Sequence, residues 1–313
     1  MQLSHNCLIA TGDKKLEIFD LRKGCTDMLK IHFLNVGKGN CTIIEFPSER
    51  LTMIDIDNSR IDDDDDVLTE PVDYFVSKFS NKSFRFILTH PDMDHLSGLN
   101  QLAAKVSIEN FWDTDHNKSF SDEDWKGSPY DKKDWEKYLT MRESTSDPKA
   151  LKLYRDATSE SECCWTQDGI TILSPSSSLV ELANKSKEYN HLSYVLRIEY
   201  AGVKVILGGD ASKEAWDEIY KHYKNKNKFL KADILLAPHH GSSKNIHEDA
   251  FNAIAPDYVF VSVAKGVDYD YEYYNRLAKK KVLSTKYYGT MCVKIKDDGK
   301  YLPIIVEKNA DAK

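Results

Sequence analysis

The run Phe84-Arg-Phe-Ile-Leu-Thr-His-Pro-Asp-Met-Asp-His95, continuing into Leu-Ser-Gly98, decides how the rest of the chain is read. Its first half is an apolar strand. Its second half places His90, Asp92, Asp94 and His95 within six positions. Ionisable groups packed this densely behind a buried strand are costly unless something compensates them. Along an extended segment, alternation puts His90, Asp92 and Asp94 on one side. The turn into a helix predicted over 96–105 then brings His95 round beside them. Imidazoles and carboxylates converging in this way form a ligand set for one or two divalent ions.

Two further stretches repeat the pattern of an apolar strand ending in metal-ligating side chains. Val205-Ile-Leu-Gly-Gly-Asp210 ends in a carboxylate after two glycines that let the backbone pass close to a neighbour. Leu235-Leu-Ala-Pro-His239-His240-Gly-Ser-Ser243 ends in paired imidazoles. Gly-Gly-Asp alone is an ordinary turn. Three clusters that each cap a strand share one topological position, and that coincidence marks a site.

Around these motifs the sequence predicts strands at 28–36 and 41–46, joined as a hairpin by Gly37-Lys-Gly39, and another strand at 51–55. Later strands are expected at 170–173, 193–200, 203–207, 232–237, 258–263, 289–296 and 302–306. Helices are expected at 72–79, 132–142, 212–223, 247–254 and 271–280. Strands first, then strands alternating with helices, imply two packed sheets flanked by helices. Residues 1–27 read as an N-terminal extension with a candidate edge strand at 16–21, and 28–308 as one domain. The irregular segment 109–165, with Trp112, Trp125, Trp135 and Trp165, reads as an insertion forming a lid or rim. The aspartate run at 62–66 reads as a solvated loop. Lys221, Lys224, Lys226, Lys228 and Lys231, with Lys279, Lys280 and Lys281, read as solvated faces or as a local phosphate contact.

A chain of 313 residues with 41% hydrophobic content can bury a large core. Its net charge of −7 argues against a protein that coats nucleic acid, though not against an enzyme that processes it. No stretch of 18 apolar residues is present, so no membrane span is expected. The six cysteines form no CxxC pair, which suits reduced thiols in a cytoplasmic protein.

With Phe33-Leu-Asn-Val-Gly-Lys-Gly-Asn40, Met53-Ile-Asp-Ile-Asp57, His90 to Gly98, Asn190 to Ser193, Gly208-Gly-Asp210, Pro238-His-His-Gly-Ser242 and Ser284-Thr to Gly289-Thr in order, the chain resembles the metallo-β-lactamase superfamily over about residues 28–298. Within that superfamily it resembles the branch containing the hydrolase domain of the DNA-uptake protein ComEC. The resemblance implies an α/β fold, the αββα sandwich, with two divalent ions (Zn²⁺ or Mn²⁺) at one edge and a metal-bound hydroxide as nucleophile. It implies His90 and Asp92 on one ion, Asp94 and His95 on the other, and Asp210 between them. Asp94 would also orient the attacking water. His239 or His240 completes a metal shell or serves the leaving group as a catalytic residue.

The chain departs from the pattern in several places. Asp92 stands where many relatives have histidine, Asn35 and Asn40 stand where aspartates are usual, and 266–274 lacks a late histidine that Asp268 or Asp270 could replace. His191 lies near the position of a further histidine ligand. The expected function is a phosphodiesterase or nuclease acting on a phosphodiester substrate, nucleic acid or nucleotide. The alternatives are a lactonase or thioesterase, or a single-metal binding or regulatory subunit working with a protein partner.

Overall fold

The computed structural model describes residues 28–59, 68–80, 82–159 and 164–305. The expected extension at 1–27 and the aspartate run at 62–66 lie outside the described residues. The first sheet contains β1 (Met28–Phe33), β2 (Thr42–Glu45), β3 (Leu51–Ile54), β5 (Phe84–Ile87), β7 (Ile108–Asp113), β8 (Lys149–Lys152), β15 (Met291–Lys296) and β16 (Tyr301–Ile305). Their order is β16-β15-β1-β2-β3-β5-β7-β8. The second sheet, β14-β13-β12-β11-β10-β9, is built from β9 (Ile170–Ser174), β10 (Val195–Tyr200), β11 (Val203–Leu207), β12 (Ile234–Leu236), β13 (Tyr258–Val261) and β14 (Lys281–Ser284). A two-stranded piece joins β4 (Ile56–Asp57) to β6 (Leu96–Ser97).

Alternation along the strands assigns the layers. Leu29, Ile31 and Phe33 of β1 meet Val205 and Leu207 of β11 and Ile234 and Leu236 of β12 between the sheets. Phe84 and Phe86 of β5 face the other way, onto α1 (Pro71–Phe79), α2 (Leu99–Lys105) and α3 (Lys132–Arg142). Ile206 and Leu235 of the second sheet face α5 (Lys213–Tyr223) and α6 (Glu248–Ile254). Each such fully buried side chain contributes roughly 1.5–3 kcal/mol of transfer free energy. Helices therefore cover the outer face of each sheet, as the sequence pattern requires. Among the described residues no helix is long and apolar enough to cross a membrane.

Several elements differ from the sequence expectation. The helix expected over 96–105 starts at Leu99, because Leu96 and Ser97 pair with Ile56 and Asp57 and Gly98 turns the chain at φ 96°. The helix expected over 271–280 ends at Leu277, after which the Lys279-Lys-Lys281 run leads into β14. Helix α4 (Ser177–Ser186) was not anticipated at all. The segment 109–165 contributes most of β7 and all of β8 to the first sheet, so it is not wholly irregular. Its loop after β7 runs toward the strand ends where the motifs lie.

Candidate metal centre

Strands β3 and β5 run parallel, as do β11 and β12. Their carboxyl ends therefore deliver Asp55, His90 to His95, Asp210, and His239 with His240 to one edge of the sandwich. Asp55, almost fully buried, accepts hydrogen bonds from the Thr89 amide at 2.7 Å, the Thr89 hydroxyl at 2.7 Å and His95 Nδ1 at 2.8 Å. The Thr89 oxygen, its own proton committed to Asp55, is left to accept from His90 Nδ1 at 3.1 Å. His240 Nδ1 donates to the Ser262 carbonyl at 2.9 Å.

These partners fix the tautomers, since an imidazole that donates through Nδ1 presents a lone pair at Nε2. His95 Nε2 and His240 Nε2 each lie 3.4 Å from the same oxygen, Asp210 Oδ2. His90 Nε2 lies 3.6 Å from Asp92 Oδ2. His95 Nε2 is buried and has no hydrogen-bond partner. Lone pairs facing a buried carboxylate repel unless a cation lies between them, and only a proton or a metal ion is small enough. The other Asp210 oxygen accepts from Asn40 Nδ2 at 3.1 Å, a bond an aspartate at position 40 could not donate.

The same demand for positive charge governs the titrations. Burial opposes a charge on His95, but the carboxylates of Asp210, Asp55 and Asp94 outweigh it and raise its pKa. Burial likewise opposes ionisation of Asp210, yet His95 and His240 hold it well below the usual carboxylate range. Asp57 is pushed up to about 6 by burial, with Asp94 adding to the rise.

Two ligand groups result. His90, His95 and Asp210 form one, and Asp94, His95 and His240 the other, each with its donor atoms within 4.8 Å of one another. Mixed imidazole and carboxylate donors of this number suit a divalent ion, and the unpartnered His95 Nε2 is the atom such an ion would satisfy. Asp92 and His239 stand outside both groups. Asp92 lies between His90 and the Lys118 ammonium. His239 Nδ1 faces Asn190 Nδ2 at 3.2 Å.

Close packing holds this edge together. A side chain at Gly39 would sit 2.1 Å from the Asp94 carbonyl, so the hairpin glycine lies directly against the ligand loop. His239 and His240 both adopt left-handed backbone, at φ 48° and 55°, which costs non-glycine residues about 1–3 kcal/mol and concentrates at functional sites.

No family model matches the chain. Over 80 residues, 26% of this chain, it is 34% identical to ComE operon protein 3 of Bacillus subtilis (strain 168), and the match spans 10% of that protein. Among solved structures, Tm1679, a metal-dependent hydrolase of the β-lactamase superfamily, superposes with TM-score 0.51 at 13% identity, covering 88% of this chain and 99% of that one. The chain has the metallo-β-lactamase fold. The CmlA β-hydroxylase E377D mutant superposes more loosely, with TM-score 0.48 at 10% identity, and the chain spans 54% of its length.

Within this metallo-β-lactamase fold, other candidate side chains are engaged by partners outside the two ligand groups. His191 Nδ1 bonds Ser212 Oγ at 2.7 Å, and Asp270 caps α7 (Tyr271–Leu277) by accepting from the Tyr273 amide at 3.0 Å. Asn35 offers its backbone amide to Thr290 and its carbonyl to Thr69. Lys231 and Lys279 to Lys281 lie at the amino ends of β12 and β14, the opposite pole from the ligands. They are therefore not a phosphate track into this edge. Sequence reasoning missed Asp55, Thr89, Lys118, Asn190 and Ser262 as supports. The aspartate ending the 51–55 strand was a visible signal for the first, whereas Lys118 sits in the segment the sequence left irregular.

Proposed function

We propose that this protein is a metal-dependent hydrolase acting on phosphodiester bonds, with nucleic acid or a nucleotide as substrate. The observation that carries the reading is the convergence of His95 Nε2 and His240 Nε2 on one buried oxygen of Asp210, with His95 Nε2 left without a hydrogen-bond partner. Divalent ions held by His90, Asp94, His95, Asp210 and His240 would supply Lewis acidity and bring the pKa of a water toward neutral. Asp94 then orients the attacking water by accepting its proton in a hydrogen bond. His239, whose Nδ1 accepts from Asn190, keeps its proton on Nε2 and donates to a substrate oxygen. Burial, partly offset by Asp210, lowers the His239 pKa, so the neutral ring acts as a hydrogen-bond donor.

Support for an anionic, ring-bearing substrate comes from the rim. Tyr269 packs against Gly241, next to His240. Lys286 lies 5.1 Å from the ring centres of both Tyr269 and Tyr287, and Tyr271 and Tyr287 are among the few exposed large hydrophobic side chains of the described residues. Aromatic faces beside an ammonium suit stacked bases next to phosphate. Cys41 and Cys292 are buried free thiols, in keeping with a cytoplasmic, reducing setting.

The test is hydrolysis of bis(p-nitrophenyl) phosphate and of single-stranded and double-stranded DNA and RNA by wild type and Asp94→Ala. Turnover by the wild type and its loss by at least about a hundredfold in a folded Asp94→Ala protein is expected. Near wild-type turnover by the variant would remove Asp94 from the chemistry. Turnover of lactones or thioesters with phosphodiesters untouched would replace the substrate class.

A further inference from the structure

Lys118 is not a wandering surface lysine. Its side chain is 17% exposed, and its ammonium lies 5.3 Å from the Phe120 ring centre and 5.2 Å from that of Tyr189. Its amide donates to His116 Nδ1 at 3.0 Å, and His116 is itself buried against Tyr138. The preceding residue is anchored as well: the Asn117 amide donates to Asn184 Oδ1 at 2.8 Å, and Asn117 Oδ1 accepts from Tyr189 at 3.0 Å. The loop after β7 thus holds the ammonium in an aromatic slot, and there it meets Asp92 Oδ1. The second Asp92 oxygen faces His90 Nε2.

Asp92 is therefore shared between a fixed cation and the corner of the centre that His90 supplies. The Asp94, His95 and His240 group has no lysine or arginine on any of its donors among the described contacts. We propose that Lys118 makes the two ion sites unequal, so that the Asp94–His95–His240 site fills first and the His90 site, its extra carboxylate already neutralised, fills weakly. This inference rests on the metal-dependent reading above. Two effects of removing the ammonium compete. Freeing Asp92 to rotate weakens the His90 site, while deleting a positive charge that shares a carboxylate with a divalent ion strengthens it. Charge repulsion at such short range in a partly buried site outweighs the ordering of one short side chain, so the net effect is tighter binding.

The experiment titrates metal-free protein with Mn²⁺, counting free ion by electron paramagnetic resonance, for wild type, Lys118→Met and Lys118→Arg. Wild type is expected to show a tight equivalent and a weaker one. Lys118→Met should tighten the weaker class by about tenfold or more and leave the tight class in place. Lys118→Arg, which keeps the charge, should follow the wild-type curve, an outcome that a merely structural role for the lysine would not give. Two classes unmoved by Lys118→Met, or both weakened together, would overturn the inference while leaving the metal reading intact. Absence of Mn²⁺ and Zn²⁺ binding by wild type would overturn both.

Discussion

Asp55→Asn isolates the support beneath the ligands from the ligands themselves. Asp55 takes three donors, the Thr89 amide, the Thr89 hydroxyl and His95 Nδ1, each within 2.8 Å. An asparagine has nearly the same shape and tolerates the left-handed φ of 56° found here, so backbone strain is not introduced. It offers only one acceptor atom in place of two, and its NH₂ group must then face a donor. With the NH₂ in place of Oδ2, His95 and the Thr89 hydroxyl lose their shared acceptor together, and His90 follows because its Nδ1 depends on the Thr89 oxygen. With the NH₂ in place of Oδ1, the Thr89 backbone amide faces a donor. Outer partners of this kind change metal affinity by about 10–100-fold, or roughly 1.4–2.7 kcal/mol. Metal affinity would be measured by competition with a chromophoric chelator, with far-UV circular dichroism to establish the fold. Asp57→Asn serves as the control, because Asp57 bonds Gly39 and Ser59 and no ligand imidazole. A folded Asp55→Asn protein whose affinity lies within twofold of wild type would refute the argument that the Asp55–Thr89 pair sets the two imidazoles.

The remaining predictions concern neighbouring groups. His240→Ala should lose an equivalent of bound metal, whereas His239→Ala should keep its metal content and lose turnover by about 10–100-fold, which elemental analysis alongside kinetics would separate. His116 gives a pH prediction. Burial and then Arg142 lower its pKa to about 2. The unfolded chain takes up a proton below about pH 6.5 while the folded protein does not, so stability contributed above that pH is lost as pH falls. Between pH 7 and pH 5 that loss is about 2 kcal/mol, so His116→Asn should gain that much relative to wild type in denaturant unfolding at pH 5 compared with pH 7. A pH-independent difference between the two proteins would contradict the buried neutral state of His116.

Much of this was written in the sequence, and what was not has physical causes. Apolar runs located β1, β5, β11 and β12, because their side chains fill the core between the sheets and the cores beneath the helices. The ligand loops were visible because ionisable residues behind apolar strands need a reason to be there. Asp92 and His239 were expected among the ligands, yet the ligand groups form without them, since spacing alone does not say which way a side chain is drawn. Lys118 draws Asp92, and Asn190 holds His239, from segments 26 and 49 residues away in sequence. Helix α4, with a serine-rich start and few apolar residues, carries too short an apolar stripe to read from sequence. The polar mix of 109–165 hid two strands, since edge strands such as β8, with only intermediate burial at Ala150 and Leu151, show weak alternation.

The most direct test of the central claim is chelator treatment followed by metal add-back, read on bis(p-nitrophenyl) phosphate with bound metal counted in parallel. The carboxylates of the two ligand groups, Asp94 and Asp210, favour an ion that tolerates oxygen donors. Activity should vanish with the chelator and return with Mn²⁺ at least as fully as with Zn²⁺. It should fail to return in Asp210→Asn, which removes the charge on which His95 and His240 converge. Wild-type protein that binds neither ion, or hydrolysis that the chelator leaves unchanged, would contradict the account.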